Sequence, residues 1–419
     1  MKEVVIIGAV RTPVGRYLGA LKSVEAYDLG ALVLDRAAGM IGLPLDQVDE
    51  VIMGQSYQNG EYVNIARMSL LKAGWPESIP GITLDRRCCT GLDVVRMATA
   101  LIQSDQAEVI VAGGVESMSN AEFYLPGSIK WGVGGSGGMP RGHGDLKMWG
   151  LPFYDRIQRA RVMSQPEARY GILPAMMSWA ETAAREDNIT REACDQWAAA
   201  SHEKACAAME KKKFGDEIIP VSVPQARGEA IIFDQDENPR PDTSLEKLSR
   251  LKPVLGGVCT AGNSSTENDG AAAVIVTTAE KAAELGIAPL ATVRACAVVG
   301  ADPRRAHITV PHAVKKALDM AALDITQMDL IEIQEAFAAQ VLADLKHMGV
   351  GPKDYARVNV NGSGISLGHP IACTGTRVLV TLLHEMKRRN ARYGLECICG
   401  GGGLGIAAVF ERAPDRKNK

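Results

Sequence analysis

An alternation of apolar strands with amphipathic helices runs through this chain twice, and a long charged, turn-rich stretch separates the two runs. In the first run, residues 3–9 read as a buried strand that Arg11-Thr-Pro-Val-Gly15 breaks. Residues 28–40 repeat apolar side chains at helical spacing, and Gly42 and Pro44 stop them. A strand over 48–55, a helix over 65–74, a short strand over 81–85, a helix over 92–104 and a buried strand over 108–113 follow. In the second run, 255–261 is strand-like, and 269–277 reads as a helix start running into a strand. A helix at 279–285, a strand at 291–300, a helix at 311–322 and a strand at 330–333 come next. Helices at 336–347 and 375–389 precede a last hairpin, 395–399 with 406–410. Strands alternating with helices predict an α/β sheet. The shared content predicts two similar halves: 1–119 with 253–277, and 278–419. Residues 120–252 form an insertion of helices, expected over 177–185 and 189–211, and long loops. Its glycine runs, 132–138 and 140–144, read as surface loop, since they lack the Gly-Lys-Ser/Thr ending of a phosphate loop.

Composition narrows the function. The 419 residues suit two or three domains. Aromatics at 5% and 43 glycines suit α/β layers with many tight turns better than a β-sandwich. A net charge of −3 without a basic block argues against nucleic acid. The nine cysteines are odd in number and show no paired C-x-x-C spacing, so a reduced cytoplasmic compartment and no metal centre are expected. No apolar run approaches the ~18 residues of a membrane span. The chain opens on a strand without a basic leader, and its Lys-Asn-Lys ending is no peroxisomal address, so no targeting segment is expected.

Three stretches carry chemistry. Leu395-Glu-Cys-Ile-Cys-Gly-Gly-Gly-Gly-Leu-Gly405 reads as strand, glycine turn, strand, with Cys399 at the turn. Consecutive glycines let backbone N–H groups approach a ligand without Cβ interference. In Asp85-Arg-Arg-Cys-Cys-Thr-Gly91, a strand runs into a helix, and a thiol at such a turn meets the N–H groups of a helix start. That logic serves Cys88 and Cys89 alike, with Arg86 and Arg87 as further candidates for lowering a thiol pKa. In Asn361-Gly-Ser-Gly-Ile-Ser-Leu-Gly-His-Pro370, His369 sits in a glycine-rich loop ahead of a helix, where an imidazole can take a thiol proton.

Together these stretches resemble the thiolase family over nearly the whole chain. Arg11-Thr-Pro-Val-Gly, Gly113-Gly-Val-Glu-Ser-Met-Ser119, Ala261 to Gly270 and Glu335-Ala-Phe-Ala-Ala-Gln340 match further family motifs in the family's order. The resemblance implies a five-layered αβαβα fold with the insertion covering CoA, and a homodimer or homotetramer working in fatty acid metabolism. It implies CoA and acyl-CoA as substrates, with no bound cofactor. It places the nucleophile at Cys88, its activator at His369 and a proton-transfer thiol at Cys399. It assigns backbone N–H groups of Cys88 and Gly401 to an oxyanion hole. Ser265, Ala261, Phe337 and Met176 would contact substrate. Gln334 stands where the family most often has the asparagine that holds an oxyanion-hole water. Ala175-Met176-Met177 and Trp179 also depart from the family pattern and imply a re-shaped acyl pocket. The competing readings are a decarboxylating β-ketoacyl synthase and a non-catalytic acyl-CoA-binding homologue.

Overall fold

The structure is a computed structural model, and it describes residues 2–127 and 153–413. The two glycine runs and the Lys-Asn-Lys ending lie outside the described residues. The first run comprises β1 (Val4–Arg11), α1 (Ala26–Ile41), β2 (Glu50–Gly54), α2 (Ile65–Lys72), β3 (Gly81–Leu84), α3 (Thr90–Gln103) and β4 (Val109–Ser117). Helices α4 (Ser178–Asp187) and α5 (Arg191–Glu210) follow. The second run comprises β5 (Asn268–Thr278), β6 (Ala291–Gly300), α6 (Thr309–Ala321), β7 (Leu330–Ile333), α7 (Ala338–His347), α8 (Thr374–Arg389), β8 (Tyr393–Gly400) and β9 (Leu404–Arg412). Local signals set several ends. Gly42 closes α1 in the left-handed conformation at φ 64°, and the Thr190 hydroxyl caps α5 by accepting from Ala193 N at 3.1 Å.

Hydrogen bonding orders the strands β7-β8-β9-β6-β1-β5-β4-β2-β3. The path is two copies of one pattern. In the first, β1 to β5 and β5 to β4 are antiparallel, and β4 to β2 is parallel. In the second, β6 to β9 and β9 to β8 are antiparallel, and β8 to β7 is parallel. The copies meet where Val5 and Ile6 of β1 pair with Thr292 and Ala291 of β6.

Alternation along the strands builds the layers. Val109 and Val111 of β4 pack with α1 and α2, whereas Ile110 and Ala112 face α3 and α8. In the other half, Ile331 and Ile333 of β7 pack with α6 and α7, whereas Leu330 faces the central helices. The result is outer helices, sheet, the α3–α8 pair, sheet, outer helices: the αβαβα order. Strands buried on both faces read as near-continuous apolar runs, which is why they were visible in the sequence.

Two expectations need correction. Residues 255–261 form no strand. They are an irregular turn in which the Glu181 carboxylate accepts from Val258 N and Cys259 N at 2.9 and 2.8 Å. No helix opens 269–277 either, because β5 is extended from Asn268 onward. Its alanine run favours helix locally, but a strand pinned between β1 and β4 needs small side chains, and tertiary pairing overrides propensity. The inserted helices α4 and α5 pack on the second half, where Trp179, Cys194, Trp197 and Ala198 belong to its outer core.

Candidate active site

The two central helices touch backbone to backbone near their N-termini. A Cβ on Gly375 of α8 would lie 2.2 Å from Leu92 N, and one on Gly91 of α3 would lie 2.6 Å from Thr376 N. The Thr376 hydroxyl donates to Gly91 O at 2.7 Å across the contact. The residues just ahead of both helices therefore meet, and these are Cys88 and His369.

Cys88 ends the turn after β3. Arg87 before it adopts the left-handed region at φ 53°, strained for a non-glycine residue and concentrated at functional sites. The His369 Nε2 lies 3.2 Å from Cys88 Sγ. On the other side of the ring, Nδ1 lies 2.6 Å from the Thr374 hydroxyl, which itself donates to Pro370 O at 2.9 Å. A hydroxyl has one proton. With that proton on Pro370 O, it faces Nδ1 with a lone pair, so Nδ1 carries the hydrogen and Nε2 offers its lone pair to the thiol. The backbone of the histidine is also held, with His369 N donating to Asn268 Oδ1 at 2.9 Å.

Electrostatics makes the resting pair neutral. Burial, and then the positive charge of Arg377, pull the imidazole down to about 3. Burial pushes the Cys88 thiol up to about 11, against the backbone N–H groups of Gly401 and of Cys88 itself, and the Arg87 charge. Those two N–H groups both point at the sulfur.

Cys89 is turned away, fully buried in the central layer with its sulfur 3.6 Å from Ile398 O, and burial holds its thiol well above the ordinary range. Cys399, at the end of β8, lines the cavity beside Cys88. Burial first, and then the neighbouring Cys88, push its thiol well up, so it keeps its proton. Gly401 lines the same wall with Met176 packed on it; a Cβ there would lie 2.8 Å from Met176 Cε. Gly402 and Gly403 follow at φ 85° and 77°, which turns the chain into β9.

The cavity in front of Cys88 encloses about 200 Å³. Of the residues singled out from sequence, it gathers Cys88, His369, Cys399, Gly401, Ser265, Phe337 and Met176. Ala261 stays outside, exposed on a neighbouring depression. Gln334 is fully buried beyond the cavity wall; its amide packs on Gly364, and neither amide atom has a hydrogen-bond partner among the described residues. Sequence reasoning missed Tyr57, Met118, Arg161 and Thr374. It also missed the role of Glu116, whose buried carboxylate accepts from Ser56 N, Tyr57 N and Ala372 N at 3.1, 3.0 and 3.0 Å. Thr374 follows His369 by five residues in the same turn, a signal that was available. No group of three or more His, Cys, Asp or Glu side chains among the described residues is arranged to hold a metal ion.

A thiol beside a fixed lone-pair nitrogen, two aimed N–H groups and a second proton-bearing thiol define a site for acyl transfer through a cysteine thioester. Comparison with known proteins gives the class its family. The N-terminal domain of thiolase matches residues 4–280, and the C-terminal domain of thiolase matches 287–412. An acetyl-CoA acetyltransferase of Pseudomonas aeruginosa is 44% identical over 98% of this chain and 100% of its own length. One from Cupriavidus necator is 43% identical over the same shares. The crystal structure of the Bacillus anthracis acetyl-CoA acetyltransferase superposes with a TM-score of 0.89 at 38% identity, covering 99% of both chains. The chain belongs to the thiolase family, and it is an acyltransferase.

Proposed function

We propose that Cys88 carries the acyl group in the CoA-dependent cleavage of a 3-ketoacyl-CoA, or in the reverse Claisen condensation. In cleavage, the Cys88 proton passes to His369 Nε2 as the sulfur attacks the 3-keto carbon. The bond between the α-carbon and that carbonyl breaks. The electron pair leaves on the α-carbon of acetyl-CoA, and Cys399, which holds its proton, delivers it there. The acyl group stays on Cys88 as a thioester until the thiol of CoA attacks it; the Cys399 thiolate takes the CoA proton, and the His369 imidazolium returns its proton to the departing Cys88 sulfur. The N–H groups of Cys88 and Gly401 hold the thioester oxygen; a donor of this kind is worth about 3–4 kcal/mol in other enzymes. Gln334, the residue expected at the position of the oxyanion-hole water, lies behind the cavity wall, so in this proposal it can act on the second oxyanion only through a bridging water.

The observation that carries this reading is the 3.2 Å contact of Nε2 with Sγ, with the tautomer fixed from behind by Thr374. Ser265, Phe337 and Met176 contact the substrate in this proposal. It includes no bound cofactor and a division into 1–119 with 253–277, 120–252 and 278–419. The hydrogen bonding of β5 within the first sheet copy supports that division. A cytoplasmic homodimer or homotetramer in fatty acid metabolism completes it. No helix among the described residues is long and apolar enough to cross a membrane, and all nine cysteines are free. Neither a decarboxylating synthase nor a non-catalytic homologue is favoured. Intact-protein mass after incubation with acetyl-CoA tests the proposal. One acetyl group, mapped to Cys88 and lost in Cys88→Ser but kept in Cys89→Ser, is the expected result. Acetylation at Cys89, or no adduct with any acyl-CoA, overturns it.

A further inference from the structure

The cavity holds a positive charge that this chemistry does not consume. Arg87 lines it, adjacent in sequence to the nucleophile and half-buried. Its backbone is engaged, Arg87 N donating to Asp85 Oδ1 at 2.8 Å, but its guanidinium makes no hydrogen bond or ion pair with any described residue. The nearby arginines differ. Arg86 is bound to Asp93 at 2.7 Å, and Arg161, which also lines the cavity, is paired with Glu267. Tyr57 lines the cavity too, only 5% exposed, and its hydroxyl has no hydrogen-bond partner among the described residues. Its phenol stands within electrostatic reach of both Arg87 and Cys88.

Methionine, tryptophan and phenylalanine side chains line much of this cavity, its one carboxylate, Glu267, is already paired with Arg161, and an unpaired guanidinium there calls for an anion. Its planar fork matches a carboxylate bidentately, and a phenol adds a third donor. The phosphates of CoA cannot serve, because they lie at the far end of the pantetheine arm from the carbonyl under attack. We infer that Arg87 and Tyr57 form a receptor for a carboxylate on the acyl chain, so that the preferred substrates are CoA thioesters of 3-keto dicarboxylic acids. The inference rests on the acyl-enzyme reading of Cys88 and names its substrate class. The strained φ of Arg87 fits this use, since it fixes where the guanidinium emerges relative to the sulfur.

The competing role for Arg87 is to act on the Cys88 sulfur alone, and a matched substrate pair separates the two. 3-Ketoadipoyl-CoA and 3-ketohexanoyl-CoA have equal chain length and differ in a terminal carboxylate against a methyl. Thiolysis by the full-length protein is expected to favour the dicarboxylic substrate in kcat/KM by about tenfold or more. Arg87→Leu should bring that ratio to about one or below, Arg87→Lys should keep part of it, and Tyr57→Phe should reduce it less than Arg87→Leu. A wild-type ratio of one or less overturns the inference without needing any variant. Equal loss on both substrates in Arg87→Leu also overturns it and leaves Arg87 with the sulfur. Acetylation of Cys88 by acetyl-CoA is scored separately. An adduct without carboxylate preference refutes only the receptor, whereas no adduct refutes the acyl-enzyme reading beneath it.

Discussion

Replacing Thr374 by valine keeps the shape of the side chain and removes the one atom that fixes the His369 tautomer. In the native site the hydroxyl accepts from Nδ1 at 2.6 Å because its own proton is committed to Pro370 O. Valine leaves a buried Nδ1–H without an acceptor, at a cost of about 1–3 kcal/mol. The ring escapes that cost by moving its hydrogen to Nε2, where it faces Cys88 and can no longer receive the thiol proton. Either way the reactive tautomer loses stability, and cysteine acylation should slow by about 10- to 100-fold. Thr374→Ser retains the hydroxyl and should stay near wild type. Rapid-quench measurement of the acetyl-enzyme reads this step directly, with thermal unfolding to verify the fold. Alkylation by iodoacetamide reads the resting thiol. With Cys88 pushed up to about 11 and His369 down to about 3, the pair is thiol and neutral imidazole. Alkylation should then rise roughly tenfold per pH unit through neutrality. Acylation of Thr374→Val within about twofold of wild type at unchanged thermal stability would refute the tautomer argument. A flat alkylation rate between about pH 6 and 8 would show an ion pair instead.

Two further outcomes follow from the same geometry. Cys399→Ala should still form the acyl-enzyme on Cys88 but lose exchange of the acetyl-CoA α-protons with deuterated solvent, measured by NMR; a block in acylation would show that Cys399 acts earlier. Glu116 is held by three backbone N–H groups, yet burial raises it from 4.5 to about 7. Between those values the folded chain keeps a proton that the unfolded chain has released, so stability falls as pH rises through that window, by about 3 kcal/mol in total. Glu116→Gln has no such proton. Its unfolding free energy, whatever its absolute value, should decline less from about pH 5 to 8 than that of wild type. Equal slopes would mean that Glu116 is ionised throughout.

The sheet was readable because its strands are buried on both faces and so appear as unbroken apolar runs. The irregular turn at 255–261 was misread because leucine, valine and alanine around two glycines mimic such a run, and the carboxylate that shapes it, Glu181, lies far away in sequence. The alanine-rich β5 was misread for the opposite reason: its small residues answer to the strands on either side, not to local preference. At the site, a thiol at a strand-to-helix turn was legible from the residues, but only the family resemblance singled out Cys88 over Cys89. Cys88 and Cys89 differ only in direction, and direction depends on the Ile398 carbonyl and the second sheet, which take Cys89 into the core. Tyr57 was beyond reach for a similar reason, since it joins the cavity through the Glu116 carboxylate that gathers Ser56, Tyr57 and Ala372.

What makes one site from two halves is the glycine contact between α3 and α8. Neither Gly91 nor Gly375 touches the chemistry, and neither has a positive φ that demands glycine. Their missing side chains let two helix N-termini come within backbone distance, with Cys88 three residues before one glycine and His369 six before the other. A side chain at either position would meet backbone atoms, which cannot rotate aside as a flexible side chain can. The central layer would have to open, and the Nε2–Sγ contact of 3.2 Å, made by residues 281 apart in sequence, would open with it. The spacing of the Cys88–His369 pair is therefore a property of how the two sheet copies close on the central helices. The loops supply the reactive atoms, and the central packing sets the distance between them.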